Sequence, residues 1–147
     1  MAHRTGDPHT RFNFTVDLGD GLGDTPAGGF RKVTGLGSNI DPIEYRNGND
    51  PEQHSRKLPG LRHYSNVTLK RGVLTDLRLW QWIASEPPDR RTVIITMLDA
   101  ERVPVLRFVL HDAWPCRWTG PRLNAKRSKV AIESLELCHE RLELEAL

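Results

Sequence analysis

Apolar and polar residues alternate in several short stretches of this chain, and this alternation constrains its fold more than any other feature. Residues 12–18, 66–73 and 106–111 all show it. A period of two is typical of a half-buried β-strand, because successive side chains point to opposite faces of a sheet. Residues 92–98 are apolar on both faces, which predicts a strand covered on both sides. Since these strands follow one another without intervening helices, we expect antiparallel pairing.

One segment carries the period of a helix instead. Leu77, Trp80 and Ile83 recur at helical spacing, and two consecutive prolines then end the pattern. We predict a helix over residues 75–84, with Thr75 as its N-cap. Because residues two apart on a helix point about 200° from each other, Trp80 and Trp82 cannot both face the core. We expect Trp80 in the core and Trp82 exposed or at an interface.

Three segments are predicted to depart from regular strands. Pro42 interrupts the alternating residues 40–46 and cannot donate to a ladder, which indicates an edge strand or an irregular one. The apolar set of residues 129–137 changes face along the strand, so a bulge near Glu133-Ser134 is expected. Residues 47–63 are predicted to be a long polar connection, and loops of that length are usually functional or disordered.

The length and pattern together predict one domain. The chain has 147 residues, which suits a single core. We expect a flexible N-terminal segment over residues 1–11 and one β domain over residues 12–147. The predicted fold is mainly β: an antiparallel β-sandwich or barrel with one flanking α-helix.

Composition and motif spacing argue against several functional classes. The net charge of +2 is too small to indicate a nucleic-acid-binding protein, and no apolar run approaches the ~20 residues of a membrane span. The first 12 residues contain no apolar h-region, so no secretory signal is expected. The six histidines have no partner at metal-ligand spacing. Cys116 and Cys138 are interpreted as buried free thiols rather than as a nucleophile or a disulfide. We therefore predict no catalytic residue, no metal and no cofactor.

The stretch 56–73 carries five cationic side chains and no acidic one. Three interpretations are open: a solvated face, a nucleic-acid surface or a protein-docking surface. The nucleic-acid interpretation is weakened because Tyr64 is the only aromatic residue in this stretch that could stack on bases. Protein docking explains more features of this stretch than the other two interpretations, because an apolar centre at residues 58–61 lies between the cations. The hypothesised acidic neighbours are C-terminal glutamates of another copy: Glu136, Glu140, Glu143 and Glu145. The candidate interface residues are Ile43, Tyr45, Arg56, Lys57, Leu58, Pro59, Gly60, Leu61 and Trp82.

Ten short motifs occur along the chain in an order and spacing that match a known family. They are FNFTV (12–16), GF (29–30), VTGL (33–36), IEYR (43–46), RKLPGL (56–61), VTLKRG (67–72), LWQW (79–82), AWP (113–115), NAK (124–126) and VAIESLEL (130–137). In this order, over about residues 12–143, they closely resemble the phage tail tube protein family. That family forms the inner tube of contractile phage tails and of phage-tail-like contractile injection systems.

The resemblance implies a structural protein that is not an enzyme. Six copies are expected to close into a ring, and rings to stack into a hollow, rigid tube that is driven through a target envelope when the sheath contracts. Implied partners are the sheath protein, baseplate or hub and terminator proteins at the tube ends, and cargo in the lumen. Residues 38–61 match the position of the family's long loop between early strands, which typically packs against adjacent subunits or rings. Assembly is expected in the cytoplasm, without a signal peptide or membrane insertion.

Two alternatives remain open from the sequence. Within the family, a tube-initiating baseplate adaptor carries similar motifs and differs in forming isolated rings. From another class, a monomeric nucleic-acid-binding β domain would show steeply salt-dependent binding to nucleic acid.

Overall fold

The computed structural model describes residues 13–19, 29–49, 51, 54–73, 77–126 and 130–147. The predicted N-terminal segment 1–11 and the predicted N-cap Thr75 lie outside the described residues. In the described part of the chain, no helix has the length and apolarity that crossing a bilayer requires.

The described residues form nine strands and one short helix, in an order that confirms the mainly β prediction. The elements are β1 (Phe14–Asp17), β2 (Lys32–Thr34), β3 (Ser38–Tyr45), β4 (Arg56–Tyr64), β5 (Val67–Gly72), α1 (Arg78–Ala84), β6 (Arg91–Leu98), β7 (Pro104–Thr119), β8 (Ile132–Cys138) and β9 (Arg141–Ala146). All strand pairs are antiparallel.

Strand β7 belongs to both layers of a β-sandwich. Its first part pairs with β6 and β9, and its last part, from Trp114, pairs with β8. Asp112 lies between the two parts with a φ of 54°, and the register with β6 shifts beside it. A left-handed residue at a register shift bends a strand, so β7 passes from one layer to the other there. One layer is β1-β6-β7-β9, and the other is β7-β8-β5-β2.

The core lies between these two layers. Val93 and Leu110 from one layer belong to the same buried cluster as Leu69 and Leu135 from the other. Their strands alternate between buried and more exposed positions, most regularly in β5 and β8. The period-two pattern of the sequence therefore predicted the sandwich correctly.

Helix α1 is shorter than predicted, and its two tryptophans have opposite environments from those expected. It begins at Arg78 and packs Leu79 and Trp82 into the core. Trp82 is 2% exposed, whereas Trp80 is 50% exposed and meets the Trp118 ring edge-on. The indole N–H of Trp82 donates to the Asp89 carbonyl at 2.8 Å, which satisfies the buried polar group. The prediction that Trp82 is exposed and Trp80 buried is wrong.

Residues 47–63 are not a simple connection, because β4 begins within them at Arg56. This strand pairs with β3 as a separate two-stranded sheet. The alternation rule missed β4 since almost all of its residues are exposed, and an exposed strand needs no apolar face. The irregularity predicted at Pro42 is confirmed: the register shifts between Ile40 and Pro42.

The bulge predicted near Glu133-Ser134 is wrong. Lys70 and Arg71 of β5 pair with Ser134 and Glu133 without interruption, and the irregularity lies on β7, between Pro115 and Arg117. The predicted shift assumed that every inward position is apolar. Instead, Glu133 itself occupies an inward position in phase with the buried residues of β8.

A buried ion pair makes this position tolerable. Arg71 Nε donates to Glu133 Oε1 at 2.7 Å, and the side chains are 2% and 9% exposed. Trp118 Nε1 donates to the other carboxylate oxygen at 3.3 Å, and the Arg71 guanidinium lies 5.4 Å from the centre of the Phe30 ring. The charges are thus neutralised and hydrogen-bonded, as buried charges must be.

Candidate assembly surface

The hairpin formed by β3 and β4 (Ser38–Tyr64) presents the largest set of predicted interface residues. Every residue of β3 is exposed, and β4 is exposed apart from two half-buried positions. The two strands bond to each other and not to the sandwich. An isolated two-stranded hairpin is marginally stable in water, so this element is suited to being completed by a neighbour.

One face of the hairpin is apolar. Ile43 lies directly opposite Leu58, and Tyr45 lies opposite Arg56. Directly opposed residues of antiparallel strands share a face, so these four side chains lie together. The three apolar side chains among them are between 46% and 53% exposed. The structure therefore brings Ile43, Tyr45, Arg56 and Leu58 together, as the candidate interface requires.

The opposite face carries Lys57, Pro59 and Leu61. Lys57 lies opposite Glu44, and Pro59 lies opposite Pro42, where neither residue has a backbone N–H to donate. Leu61 follows the same alternation and is 77% exposed. The hairpin thus offers two different faces, one mainly apolar and one that mixes charge with a single prominent leucine.

Gly60 has a structural reason to be glycine. A Cβ at this position would lie 2.5 Å from the Asp41 carbonyl oxygen, closer than real Cβ atoms approach backbone oxygen. Gly60 therefore lets β4 pass close to β3 beside the register shift. Close by, His63 Nε2 lies 2.7 Å from Asp41 Oδ2 and links the two strands.

The base of the hairpin is held against the sandwich by hydrogen bonds of Ser65 and His139. Ser65 Oγ donates to the Gly35 carbonyl at 2.7 Å, and His139 Nε2 lies 2.9 Å from the Ser65 carbonyl. Gly35 has a φ of +91°, and a Cβ there would lie 2.0 Å from the Asn66 carbonyl oxygen. Only glycine fits this left-handed, crowded position. These contacts fix the point from which the hairpin leaves the body.

The glutamates proposed as acidic neighbours already have partners in their own chain. Glu140 accepts a bond from Arg90, Glu143 from Arg141, and Glu145 from Arg107. Glu136 lies 3.4 Å from the Cys116 thiol. Exposed ion pairs such as these three Arg–Glu pairs contribute about 1 kcal/mol or less to stability. They therefore do not prevent a glutamate from contacting a cation of another copy.

Trp82 does not belong to this surface, because it lies on the buried face of α1. Its partner in the sequence argument, Trp80, is the exposed one. A signal for this was present in the sequence: Leu79 and Trp82 have the same helical spacing as Leu77 and Trp80. The choice between the two sets depends on where the helix begins, which a pattern locates poorly.

The chemistry of the described residues does not suggest a reactive centre. No group of three potential metal ligands occurs among them. Cys116 and Cys138 are both free and half-buried. Burial first, and then hydrogen bonding with Cys138 and Glu136, raises the pKa of the Cys116 thiol to about 12. Since the thiolate is the nucleophile, such a thiol is poorly reactive at neutral pH.

Comparison with known proteins agrees with the mainly β fold. The family model described as T4-like virus tail tube protein gp19 matches residues 10–143. The chain belongs to this tail tube family. No curated protein matches its sequence.

Solved structures of injection particles resemble the chain over nearly its whole length. A chain of the sheath-tube complex of the extracellular contractile injection system PVC, in its extended state, is 25% identical with a TM-score of 0.84, covering 97% of this chain and 94% of that one. A chain of the tube-terminating cap of the anti-feeding prophage is 25% identical with a TM-score of 0.83, covering 100% and 95%. Hcp1 from Flavobacterium johnsoniae shares the fold alone, at 8% identity and a TM-score of 0.54 over 90% and 94%.

Proposed function

We propose that this chain is the structural subunit of the inner tube of a contractile injection system or contractile phage tail. Membership of the tail tube family and the likeness to a sheath-tube complex support this function. The observation that carries it is the hairpin, whose apolar face stays in water when the chain is alone. Contiguous exposed apolar surface of this kind is typical of protein–protein contacts.

Ring closure and stacking are the assembly that such a surface serves. In a ring, every copy presents the same two different patches to its neighbours, so one hairpin covers one face of the next copy. We propose hexameric rings that stack into a hollow tube. The exposed edges of β1 and β2 are also suited to pairing with a neighbouring sheet, which would remove the open edges of the single chain.

The proposed particle has further components. The sheath protein surrounds the tube, and baseplate or hub and terminator proteins close its ends, consistent with the similar sheath-tube and cap structures. We propose assembly in the cytoplasm, loading of the lumen with cargo, and propulsion of the rigid tube through a target envelope when the sheath contracts. The subunit acts by shape and stiffness and carries out no reaction.

A tube-end adaptor is the second candidate. Chains from a baseplate and from a cap have TM-scores of 0.82 and 0.83 with this chain, close to the 0.84 of the chain from the sheath-tube complex. The fold is therefore shared by the bulk of the tube and its ends. Negative-stain electron microscopy of the purified chain distinguishes them, because a bulk subunit forms long tubes of uniform width and an adaptor forms isolated rings.

The hairpin's role is tested by reversing its charge. Arg56→Glu with Lys57→Glu should raise the protein concentration needed for assembly by about tenfold or more, since like charges then face the neighbour's acidic groups. The matched control is Arg78→Glu with Lys126→Glu, which reverses the same number of charges outside the hairpin and leaves Arg90, the partner of Glu140, unchanged. Sedimentation velocity gives the assembled fraction, and circular dichroism checks the fold. Equal assembly of both variants would refute the hairpin interface.

A further inference from the structure

A cleft lies outside the hairpin, where β7 ends and β8 begins, and the proposed function gives it no role. Its volume is about 860 Å³, a size typical of ligand-binding sites. Three of its lining residues, Lys70, Ser134 and Thr119, form a row across adjacent strands. This row points away from the core, because the buried positions of β5 and β8 alternate with it. We call the site the basic cleft and define it by Lys70, Thr119, Arg122, Leu123, Val130 and Ser134.

The cations at the basic cleft are not neutralised by acidic side chains. Lys32 pairs directly opposite Lys70, and like charges in that arrangement destabilise a sheet. Arg122 adds an exposed third cation from the segment after β7. In the described part of the chain, none of these three side chains forms an ion pair. Elsewhere in that part, five arginines each have an acidic partner: Arg71, Arg90, Arg91, Arg107 and Arg141. A bound anion would therefore relieve a repulsion that the single chain leaves in place.

The sequence continues this positive charge around the cleft. Residues 117–131 contain five cations and no acidic residue. The adjacent row on the same face carries Glu136, but this residue pairs opposite Arg117 and its carboxylate lies 3.4 Å from the Cys116 thiol. A ligand at the basic cleft therefore meets mainly positive charge, which favours a ligand with carboxylates or phosphates.

The other lining residues distinguish between these two kinds of anion. Leu123 is 87% exposed and Val130 is 75% exposed, and both gain from contact with an apolar side chain, which a peptide supplies. Single-stranded nucleic acid instead stacks its bases on aromatic rings, and none of the described residues that line the cleft is aromatic. The hydroxyls of Thr119 and Ser134 are able to donate hydrogen bonds to carboxylate oxygens. The basic cleft therefore suits an acidic peptide that also carries a large apolar residue.

A second copy of this chain is a poor source of such a peptide. Residues 142–145 alternate leucine with glutamate and have the required composition. However, they belong to β9, which pairs with β7 from Leu106 to His111. If this segment entered the cleft of another copy, the sandwich would lose a strand. The observations therefore favour an occupant from a different protein.

We propose that the basic cleft binds an acidic segment of a different protein. A large apolar residue of that segment packs against Leu123 and Val130, while its carboxylates pair with Lys70 and Arg122. Binding also offsets the repulsion between Lys32 and Lys70. The inference goes beyond the proposed function, because one copy carries the complete cleft and neither a ring nor a tube is needed.

Fluorescence anisotropy with a labelled peptide tests the site. The probe is a short fluorescein-labelled peptide of alternating glutamate and leucine, and the full chain is kept below its assembly threshold. We expect saturable binding that weakens as salt is added, because salt screens interactions between exposed charges. Two matched probes replace every glutamate by glutamine or every leucine by serine. Each should bind about tenfold more weakly than the parent peptide, since each lacks one half of the proposed contact.

Substitutions in the chain locate the binding in the cleft. Lys70→Gln with Arg122→Gln should weaken binding of the parent peptide by about tenfold or more. The matched control, Arg46→Gln with Lys57→Gln, removes two exposed cations of the hairpin and should bind as the unmodified chain does. Leu123→Ser tests the apolar contact and should weaken binding by about tenfold. Circular dichroism verifies that each variant keeps the β fold.

The outcomes separate this inference from the proposed function. No binding of the parent peptide, or equal affinity of the Lys70–Arg122 variant and its control, would overturn the proposed site. Tighter binding of a fluorescein-labelled oligothymidylate than of the peptide would overturn it in favour of nucleic acid. Loss of peptide binding on assembly would mean that another copy covers the cleft, which also overturns it. A chain that binds the peptide at the cleft but never assembles would support the inference and refute the tube function.

Discussion

Breaking the buried ion pair between Arg71 and Glu133 should be among the most damaging single changes to the sandwich. The two side chains are 2% and 9% exposed, and their shortest N–O distance is 2.7 Å. Glu133→Leu keeps a side chain of similar size but removes the carboxylate. Arg71 would then keep its charge in the core without the Glu133 carboxylate, and Trp118 Nε1 would lose its acceptor.

The expected cost follows from these two losses. Removing one partner of a buried ion pair costs about 3–5 kcal/mol, because the remaining charge stays desolvated. Losing the acceptor of a partly buried indole N–H adds about 1 kcal/mol. We therefore expect Glu133→Leu to lower the free energy of unfolding by about 4–6 kcal/mol. Since small domains have a total of about 5–15 kcal/mol, the variant should be close to unfolding at room temperature.

Removing both charges should behave very differently. Arg71→Met with Glu133→Leu removes both of these buried charges, and apolar replacements of buried ion pairs are often neutral or stabilising by about 1–4 kcal/mol. The double variant should therefore be far more stable than Glu133→Leu alone. The matched exposed control is Glu140→Leu, which removes the ion pair with Arg90, whose side chains are both more than half exposed. Its cost should be about 1 kcal/mol or less.

Urea denaturation, monitored by tryptophan fluorescence, measures these differences. The protein concentration must lie below the assembly threshold, because assembly adds stability that depends on concentration. Single transitions with equal slopes show that the variants share one unfolded state. A cost below about 1 kcal/mol for Glu133→Leu, or a double variant no more stable than the single one, would refute the reasoning from a buried charge.

Two further predictions follow from the described side chains. Trp82→Ala should lower the free energy of unfolding by about 3–5 kcal/mol, and Trp80→Ala by about 1 kcal/mol or less, because Trp82 is buried and Trp80 is half exposed. Urea denaturation measures both values, and an equal loss of unfolding free energy in the two variants would contradict this prediction. With a pKa of about 12, Cys116 should be alkylated by iodoacetamide very slowly at pH 8 and faster as the pH rises towards 12, since more thiolate forms. Mass spectrometry follows the modification, and urea-unfolded protein, which should react at an ordinary cysteine rate, is the control.

Much of the sandwich could be predicted from the sequence, because its strands are packed on one or both faces. The doubly apolar residues 92–98 coincide with β6 (Arg91–Leu98), and the alternating residues 66–73 contain β5 (Val67–Gly72). In both strands the apolar side chains that alternate, such as Val67, Leu69, Val93 and Ile95, are buried. Burial within the chain leaves a periodic record in its sequence, and that record was sufficient here.

The errors have a different physical origin. Glu133 is polar at a core-facing position. A rule that assigns only apolar residues to inward positions therefore predicted a change of face along β8, and with it a bulge that the structure does not have. Trp80 and Trp82 belong to two overlapping helical sets, and only the observed start at Arg78 decides between them. In each case a local pattern was consistent with two structures. For Glu133, the partner that makes the inward position tolerable is Arg71, which lies 62 residues away in sequence.

The hairpin differs from both cases, because its alternating residues lie on a surface that the single chain leaves exposed. Ile43 and Tyr45 alternate with polar residues as half-buried strand residues do, yet they are 53% and 46% exposed. Alternation specifies burial in the final assembly, and the chain itself supplies nothing to cover this face among the described elements of the sandwich. We therefore expect a neighbouring copy to cover this face in the proposed ring.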